Sequence, residues 1–163
     1  MKRKILALVA TLGLSVAGVA ATATPAQAYG MGPGDCFWNG GSTLWYNGGF
    51  RMNGGDCYVT SKTKLSMQRD GNLVLYCVDW QDGIPVSSRP VWSTGTWNSG
   101  AITAKFQDDG NFVLYRSDYA TAVWASRTWG HANSLLAIQN DSNIVIYDFK
   151  GYPIWQSNTY NAC

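Results

Sequence analysis

Nine residues recur three times in this 163-residue chain. They are Gln68-Arg69-Asp70-Gly71-Asn72-Leu73-Val74-Leu75-Tyr76, Gln107-Asp108-Asp109-Gly110-Asn111-Phe112-Val113-Leu114-Tyr115 and Gln139-Asn140-Asp141-Ser142-Asn143-Ile144-Val145-Ile146-Tyr147. Each copy reads Q-x-D-x-N-x-V-x-Y. The carboxylate accepts hydrogen bonds, the two amides both donate and accept, and the phenol does either. Adjacent hydroxyls of a sugar ring also donate and accept, so these groups can satisfy them in pairs. Inverting one ring carbon would leave buried groups unpaired, which is how such a set reads stereochemistry. Val offers an apolar contact to the C–H face of a ring. The chemistry available is recognition of a neutral polyhydroxyl ligand.

Other chemistries fit less well. A glycosidase needs two placed carboxylates. Asp108 and Asp109 are adjacent, but in an extended strand they point to opposite faces, and the other copies carry Arg69 and Asn140 instead. Triad chemistry usually calls for a histidine, and the single one, His131, lies in the link Gly130-His131-Ala132-Asn133 and reads as a turn residue. The Asp-Gly-Asn turns lack the carboxylate density of a calcium loop. Asx turns alone would account for Asp-Gly and Asn, but not for Gln and Tyr at fixed spacing in all three copies.

The elements that position these residues follow from the spacing. Alternate side chains of a strand leave on opposite faces. Asn, Val and Tyr therefore share one face, and Leu73 and Leu75, Phe112 and Leu114, Ile144 and Ile146 share the core face. Asp-Gly is a hairpin signal. Gln is expected to end the incoming strand, Asp to sit in the turn, and Asn, Val and Tyr to ride the outgoing strand. In the third copy Ser142 replaces Gly, which is costly if that position needs positive φ; a kinked continuous strand is the alternative.

A second repeated element follows each motif: Pro90-Val91-Trp92-Ser93-Thr94-Gly95-Thr96-Trp97, Ala122-Val123-Trp124-Ala125-Ser126-Arg127-Thr128-Trp129 and Pro153-Ile154-Trp155-Gln156-Ser157-Asn158-Thr159-Tyr160. Trp92 precedes Gln107 by 15 residues, and Trp124 precedes Gln139 by 15. The unit is about 32 residues, with an insertion of about seven in the first unit between Cys77 and Arg89. Such units are too small to fold alone, so the period predicts three of them closed around a common axis. Trp92, Trp124 and Trp155 should meet there as core. Trp97, Trp129 and Tyr160 are either half-buried strand residues or platforms for a sugar ring. Tyr58 to Met67 reads as a strand, and Ser42 to Tyr46 as a short one. The Gly-rich, aromatic lead-in over residues 29–57 has no counterpart in the later units and should supply strands that complete the first or last.

Residues 1–28 read as a secretory signal peptide: Met1-Lys2-Arg3-Lys4, an apolar run from Ile5 to Ala21, and Ala26-Gln27-Ala28 as cleavage pattern. A single membrane anchor is the alternative; no other segment approaches the ~20 apolar residues of a membrane helix. A mature chain of residues 29–163 suits one domain. It loses Lys2, Arg3 and Lys4 from the 12 basic residues, leaving nine against ten Asp and no Glu, a net charge of −1. Without a basic stripe, nucleic acid and anionic membrane are poor partners. Eight Trp, nine Tyr and 18 Gly with no Glu describe short strands and turns. Four cysteines in an exported chain suggest two disulfides; a Cys-ligated metal lacks a C-x-x-C pair or nearby His.

The triple motif resembles the mannose-binding motif of the monocot bulb lectins, the snowdrop agglutinin family, of which bacteria also export members. The resemblance spans about Ser42 to Tyr160. It implies an all-β fold, the β-prism II, with three four-stranded sheets about a pseudo-three-fold axis. It implies a secreted lectin that binds mannose-containing glycans, with no cofactor, metal or catalysis. In each site one mannose would be held: Asp70 and Asn72 on the axial 2-hydroxyl, Gln68 on the 3-hydroxyl, Tyr76 on the 4-hydroxyl and Val74 on ring carbons. The same roles would fall to Gln107, Asp109, Asn111, Val113 and Tyr115, and to Gln139, Asp141, Asn143, Val145 and Tyr147. Plant relatives form dimers by exchanging C-terminal strands, so a homodimer is a further expectation. Some bacterial proteins of this fold are antagonist toxins, the alternative role, although those carry two such domains. The insertion after Tyr76 lies beside the first site and could cover or extend it. The plant lectins hold one internal disulfide; here Cys57–Cys77, closing a local loop, and Cys36–Cys163, tying the ends, are the preferred pairs among three connectivities.

Overall fold

The computed structural model describes residues 36–38 and 41–163. The expected leader over residues 1–28 and the start of the mature chain lie outside the described residues. Thirteen strands make three sheets, and no helix occurs among the described residues. In chain order they are β1 (Cys36–Trp38), β2 (Leu44–Tyr46), β3 (Arg51–Asn53), β4 (Cys57–Val59), β5 (Thr63–Met67), β6 (Leu73–Gln81), β7 (Ile84–Ser93), β8 (Ala101–Phe106), β9 (Phe112–Arg116), β10 (Ala122–Ala125), β11 (Leu135–Ile138), β12 (Ile144–Tyr147) and β13 (Pro153–Gln156). The sheets run β1-β4-β5-β6-β7, β10-β9-β8-β3 and β13-β12-β11-β2.

Each sheet repeats one inward ladder. Trp92 pairs with Leu75, Leu75 with Leu65 and Leu65 with Tyr58 in the first sheet. The matching ladders are Trp124, Leu114, Ala104 and Met52 in the second, and Trp155, Ile146, Leu136 and Tyr46 in the third. Their buried residues belong to one core. At one edge of the sheets the three Trp rings meet pairwise, with centroids 5.8–5.9 Å apart in edge-to-face geometry, the arrangement the aromatic quadrupole favours. At the other edge Tyr46 stacks on Phe50 at 3.9 Å, and both meet Tyr58. The Tyr46 hydroxyl is buried without a partner among the described residues. Burial, then the neighbouring Tyr58, pushes its pKa well above the ordinary phenol value.

The lead-in does more than complete one unit. β2 closes the third sheet, β3 the second, and β1 with β4 the first. Turns at Gly48-Gly49 and Gly54-Gly55, where Gly49 and Gly55 hold positive φ, let it step from the third sheet to the second and on to the first. The first sheet accordingly has five strands rather than the expected four, because β1 adds in parallel to β4. The single strand expected over Tyr58 to Met67 is instead the β4–β5 hairpin. Thr60 Oγ1 there accepts from the Lys62 and Thr63 N–H groups, a side-chain turn that competes with strand pairing. The insertion between Cys77 and Arg89 lengthens β6 and β7 into a hairpin around Asp82 and Gly83, both with positive φ, as a two-residue turn requires. Its Trp80 indole donates to Ser61 O at 2.8 Å and its ring lies 5.5 Å from Trp38. The hairpin extends the first sheet beyond Tyr76, away from the Asp70 turn.

The disulfides are Cys36–Cys57 and Cys77–Cys163, not the preferred pairs. Cys57 lies on β4 and Cys77 on β6, with β5 between them. Two strand spacings, about 9–10 Å, exceed the reach of a disulfide. Cys36 instead faces Cys57 directly in the parallel pairing. Cys163 reaches Cys77 because the C-terminal segment runs back from the third hairpin to the first sheet.

Candidate functional site

All three motifs are hairpins, including the third. Gln directly follows β5, β8 and β11; its N–H donates to the Asn carbonyl across each turn at 2.8 Å. The third turn residue has φ of 91° at Gly71, 87° at Gly110 and 77° at Ser142. Ser142 therefore carries the left-handed conformation that glycine adopts without cost. A Cβ built on Gly110 would lie 2.3 Å from the His131 carbonyl oxygen, so the second copy has no room for a side chain. Ser142 uses its room: its hydroxyl accepts from the Cys163 N–H at 3.0 Å.

The motif side chains converge identically three times. Gln Nε2 donates to the Tyr hydroxyl at 2.7 Å for Gln68–Tyr76, 3.1 Å for Gln107–Tyr115 and 2.9 Å for Gln139–Tyr147. Asp Oδ1 accepts the Asn N–H at 2.9 Å for Asp70–Asn72, 2.9 Å for Asp109–Asn111 and 3.0 Å for Asp141–Asn143. Val74, Val113 and Val145 are almost wholly covered, so each floors its site more than it projects from it.

The second repeated element completes each site, and the sequence reading missed its part. Thr96, Thr128 and Thr159 donate their N–H to Asn Oδ1 at 3.1, 3.2 and 3.2 Å. A backbone N–H can only donate, so the atom it meets is the amide oxygen and Nδ2 must face outward. Thr94, Ser126 and Ser157 Oγ lie 3.1, 3.1 and 2.9 Å from the same oxygen. They also accept the N–H of Leu73, Phe112 and Ile144. Thr96, Thr128 and Thr159 hydroxyls close the relay by donating to Gly71, Gly110 and Ser142 O. The signal was present in the repeated pattern of a hydroxyl residue, a spacer and Thr after each Trp. The spacers Gly95, Arg127 and Asn158 all hold positive φ.

Among the described residues, what remains unused in each site is one carboxylate oxygen, Oδ2 of Asp; Nδ2 donors of Asn; Oε1 of Gln; and the hydroxyl proton of Tyr. One donor in the third site is already engaged, since Asn143 Nδ2 donates to Gln156 Oε1 at 3.1 Å. The flanking aromatics are exposed: Trp97 by 63%, Trp129 by 69% and Tyr160 by 68%. Just beyond them, Asn98, His131 and Asn161 donate N–H to the carbonyls of Asp70, Asp109 and Asp141. Each aromatic is thus pinned beside its Asp turn. His131 serves through its backbone alone in these contacts, and Asp108 is exposed on the turn.

No family model matches the chain. Its structure is similar to that of a monomeric monocot mannose-binding lectin from Gastrodia elata, with TM-score 0.59 and 35% identity over 73% of this chain and 98% of that one. The chain belongs to the bulb-type mannose-binding lectin family. The snowdrop (Galanthus nivalis) agglutinin, solved with methyl-α-D-mannoside, matches this family member with TM-score 0.53 and 30% identity over 73% of this chain and 97% of its own. A mannose-specific lectin from Dendrobium findlayanum is 38% identical over 68 residues, 41% of this chain and 35% of the orchid protein's length. The fold is the β-prism II of these lectins.

Proposed function

We propose that this family member is a secreted lectin that binds terminal mannose on glycans through its three Q-x-D-x-N-x-V-x-Y sites, without a catalytic step. The observation that carries the reading is the threefold recurrence of the same unused groups. Asp Oδ2 accepts the proton of one hydroxyl while Asn Nδ2 donates to the same oxygen, which suits the axial 2-hydroxyl. Gln Oε1 accepts from the 3-hydroxyl and the Tyr proton goes to the 4-hydroxyl. These roles fall to Gln68, Asp70, Asn72 and Tyr76, to Gln107, Asp109, Asn111 and Tyr115, and to Gln139, Asp141, Asn143 and Tyr147, with Val74, Val113 and Val145 beneath the ring. The relatives' own names and the mannoside held by the snowdrop protein support the choice of sugar. Two disulfides among the described residues suit an oxidising, exported setting, as does the leader read at residues 1–28.

Four polar contacts that each net about 1 kcal/mol make a weak site, about −4 kcal/mol or millimolar. Several sites on one branched or repetitive glycan raise the avidity by roughly 10²–10⁴ where geometry allows. The test is calorimetric titration of residues 29–163 with α-methyl mannoside and α-methyl galactoside, against the triple variant Asp70→Asn, Asp109→Asn, Asp141→Asn. Heat with mannoside alone, lost in a variant that melts normally, supports the reading. Equal response to both sugars, or none to mannoside, removes it.

A further inference from the structure

The three cradles match, but the sheet surfaces beside them do not. The rung that carries the motif Val runs Val74, Ser66, Cys57 in the first sheet, with Cys57 tied up in its disulfide. In the second it runs Val113, Lys105, Arg51, with the Arg51 guanidinium 5.5 Å from the Tyr119 ring. In the third it runs Val145, Ala137, Trp45. Only there does an aromatic stand at the outer end of the rung, with nothing larger than a methyl group between it and the cradle. Trp45 is 53% exposed and its ring centroid lies 5.7 Å from that of Tyr147.

An open groove of about 860 Å³ runs from this cradle along the sheet. Gln139 and Tyr147, two residues of the motif, line one part of it; Trp45, Leu135 and Phe149 line the rest along with the polar Asn133, Asp148 and Lys150, and the Lys150 ammonium lies 5.4 Å from the Phe149 ring centroid. Phe149, in the β12–β13 turn, is 69% exposed. Exposed aromatics gathered on one groove mark an interaction site more often than scattered ones do. Here they continue a site whose free groups are those that bind hydroxyls. Aromatic faces take up the C–H face of a pyranose and leave its hydroxyls in water. The groove holds far more than one ring, while the cradle engages one.

We infer that the third site, unlike the other two, takes two linked hexoses: the first in the Gln139–Asp141–Asn143–Tyr147 cradle, the second stacked on Trp45 with Phe149 as the far wall. This rests on the reading that the cradle itself holds a hexose. The first two sites take the first ring alone. The chain thereby reads the penultimate sugar as well as the terminal one at one site, and only the terminal residue at the others.

The test uses a variant with the first two sites silenced, Asp70→Asn and Asp109→Asn, titrated with α-methyl mannoside and with the α1→2, α1→3 and α1→6 mannobioses. At least one mannobiose is expected to bind 5–20-fold more tightly than the monosaccharide. Trp45→Ala and Phe149→Ala, both at exposed positions, should each bring that ratio to within about twofold of unity. The reciprocal variant, Asp141→Asn, should show no disaccharide preference. Monosaccharide binding with no gain for any mannobiose, or a gain that survives both substitutions, overturns the two-ring site and leaves the lectin reading standing. No binding of either sugar overturns both.

Discussion

At the scale of single residues, the side chains proposed to meet a ligand are not those that fix their aim. Asn111 exposes Nδ2 because Thr128 N–H and Ser126 Oγ hold its oxygen. Ser126→Ala removes one of these and leaves the Phe112 N–H without its acceptor. The expected result is a loss of about 1–2 kcal/mol in stability and a several-fold weaker second site, with the first and third unchanged. Thermal melts and site-resolved NMR titration with α-methyl mannoside read the two effects. The fifteen motif residues were legible because they alternate at fixed spacing three times. The hydroxyl pairs were written just as regularly, after each Trp. They went unread because a Ser or Thr just past a strand end looks like turn chemistry until the Asn oxygen is seen between the two hydroxyl residues.

At the scale of elements, each hairpin has its own tolerance. Gly110→Ser places a Cβ against the His131 carbonyl and imposes positive φ on a side chain. It should cost about 2–4 kcal/mol, seen as a lower denaturant midpoint, whereas Ser142 shows the third turn accepting the same residue. The β9–β10 turn depends on Asp118. Its side chain accepts from the Thr121 hydroxyl, then the Thr121 and Ala120 N–H groups, and these bonds lower its pKa to about 2. A depressed carboxylate pKa gives stability that is complete above the unfolded value near 4 and fades as pH falls toward 2. Asp118→Asn should therefore flatten the loss of stability between pH 4 and pH 2, followed by chemical denaturation across that range. Strand positions were legible where alternation was strict. The break at Thr60 was not, since YVTSKTKLSM keeps a loose alternation through the turn, and it is the Thr60 N–H bond to Thr63 O together with the hydroxyl bonds of Thr60 and Thr63 that stops the strand.

At the scale of the whole molecule, the 32-residue period carried the three-fold closure and the Trp contact without any help from pair distances. The disulfides needed the register. Nothing in the spacing of four cysteines tells that β5 separates Cys57 from Cys77, or that the tail returns to the first sheet. The Cys77–Cys163 bridge closes a separation of 86 residues, worth roughly 4–5 kcal/mol in the chain-entropy account. Cys77→Ala with Cys163→Ala should lower the melting temperature markedly. It should also weaken the first and third sites more than the second. Cys77 follows Tyr76 directly. Asn161 and Cys163 brace the third turn through Asp141 O and Ser142 Oγ, and Arg89 holds the same tail by donating to Ala162 O.

That tether also bears on how the molecule would join surfaces. Precipitating a polysaccharide or clumping cells takes at least two working sites per particle, whereas adhering to an immobilised glycan takes one. On the proposed three-site reading, a thiol reductant acting on the Cys77–Cys163 bridge would loosen the first and third sites and spare the second. Agglutination should then vanish at reductant levels where attachment persists, and a cross-linker would have become a simple adhesin.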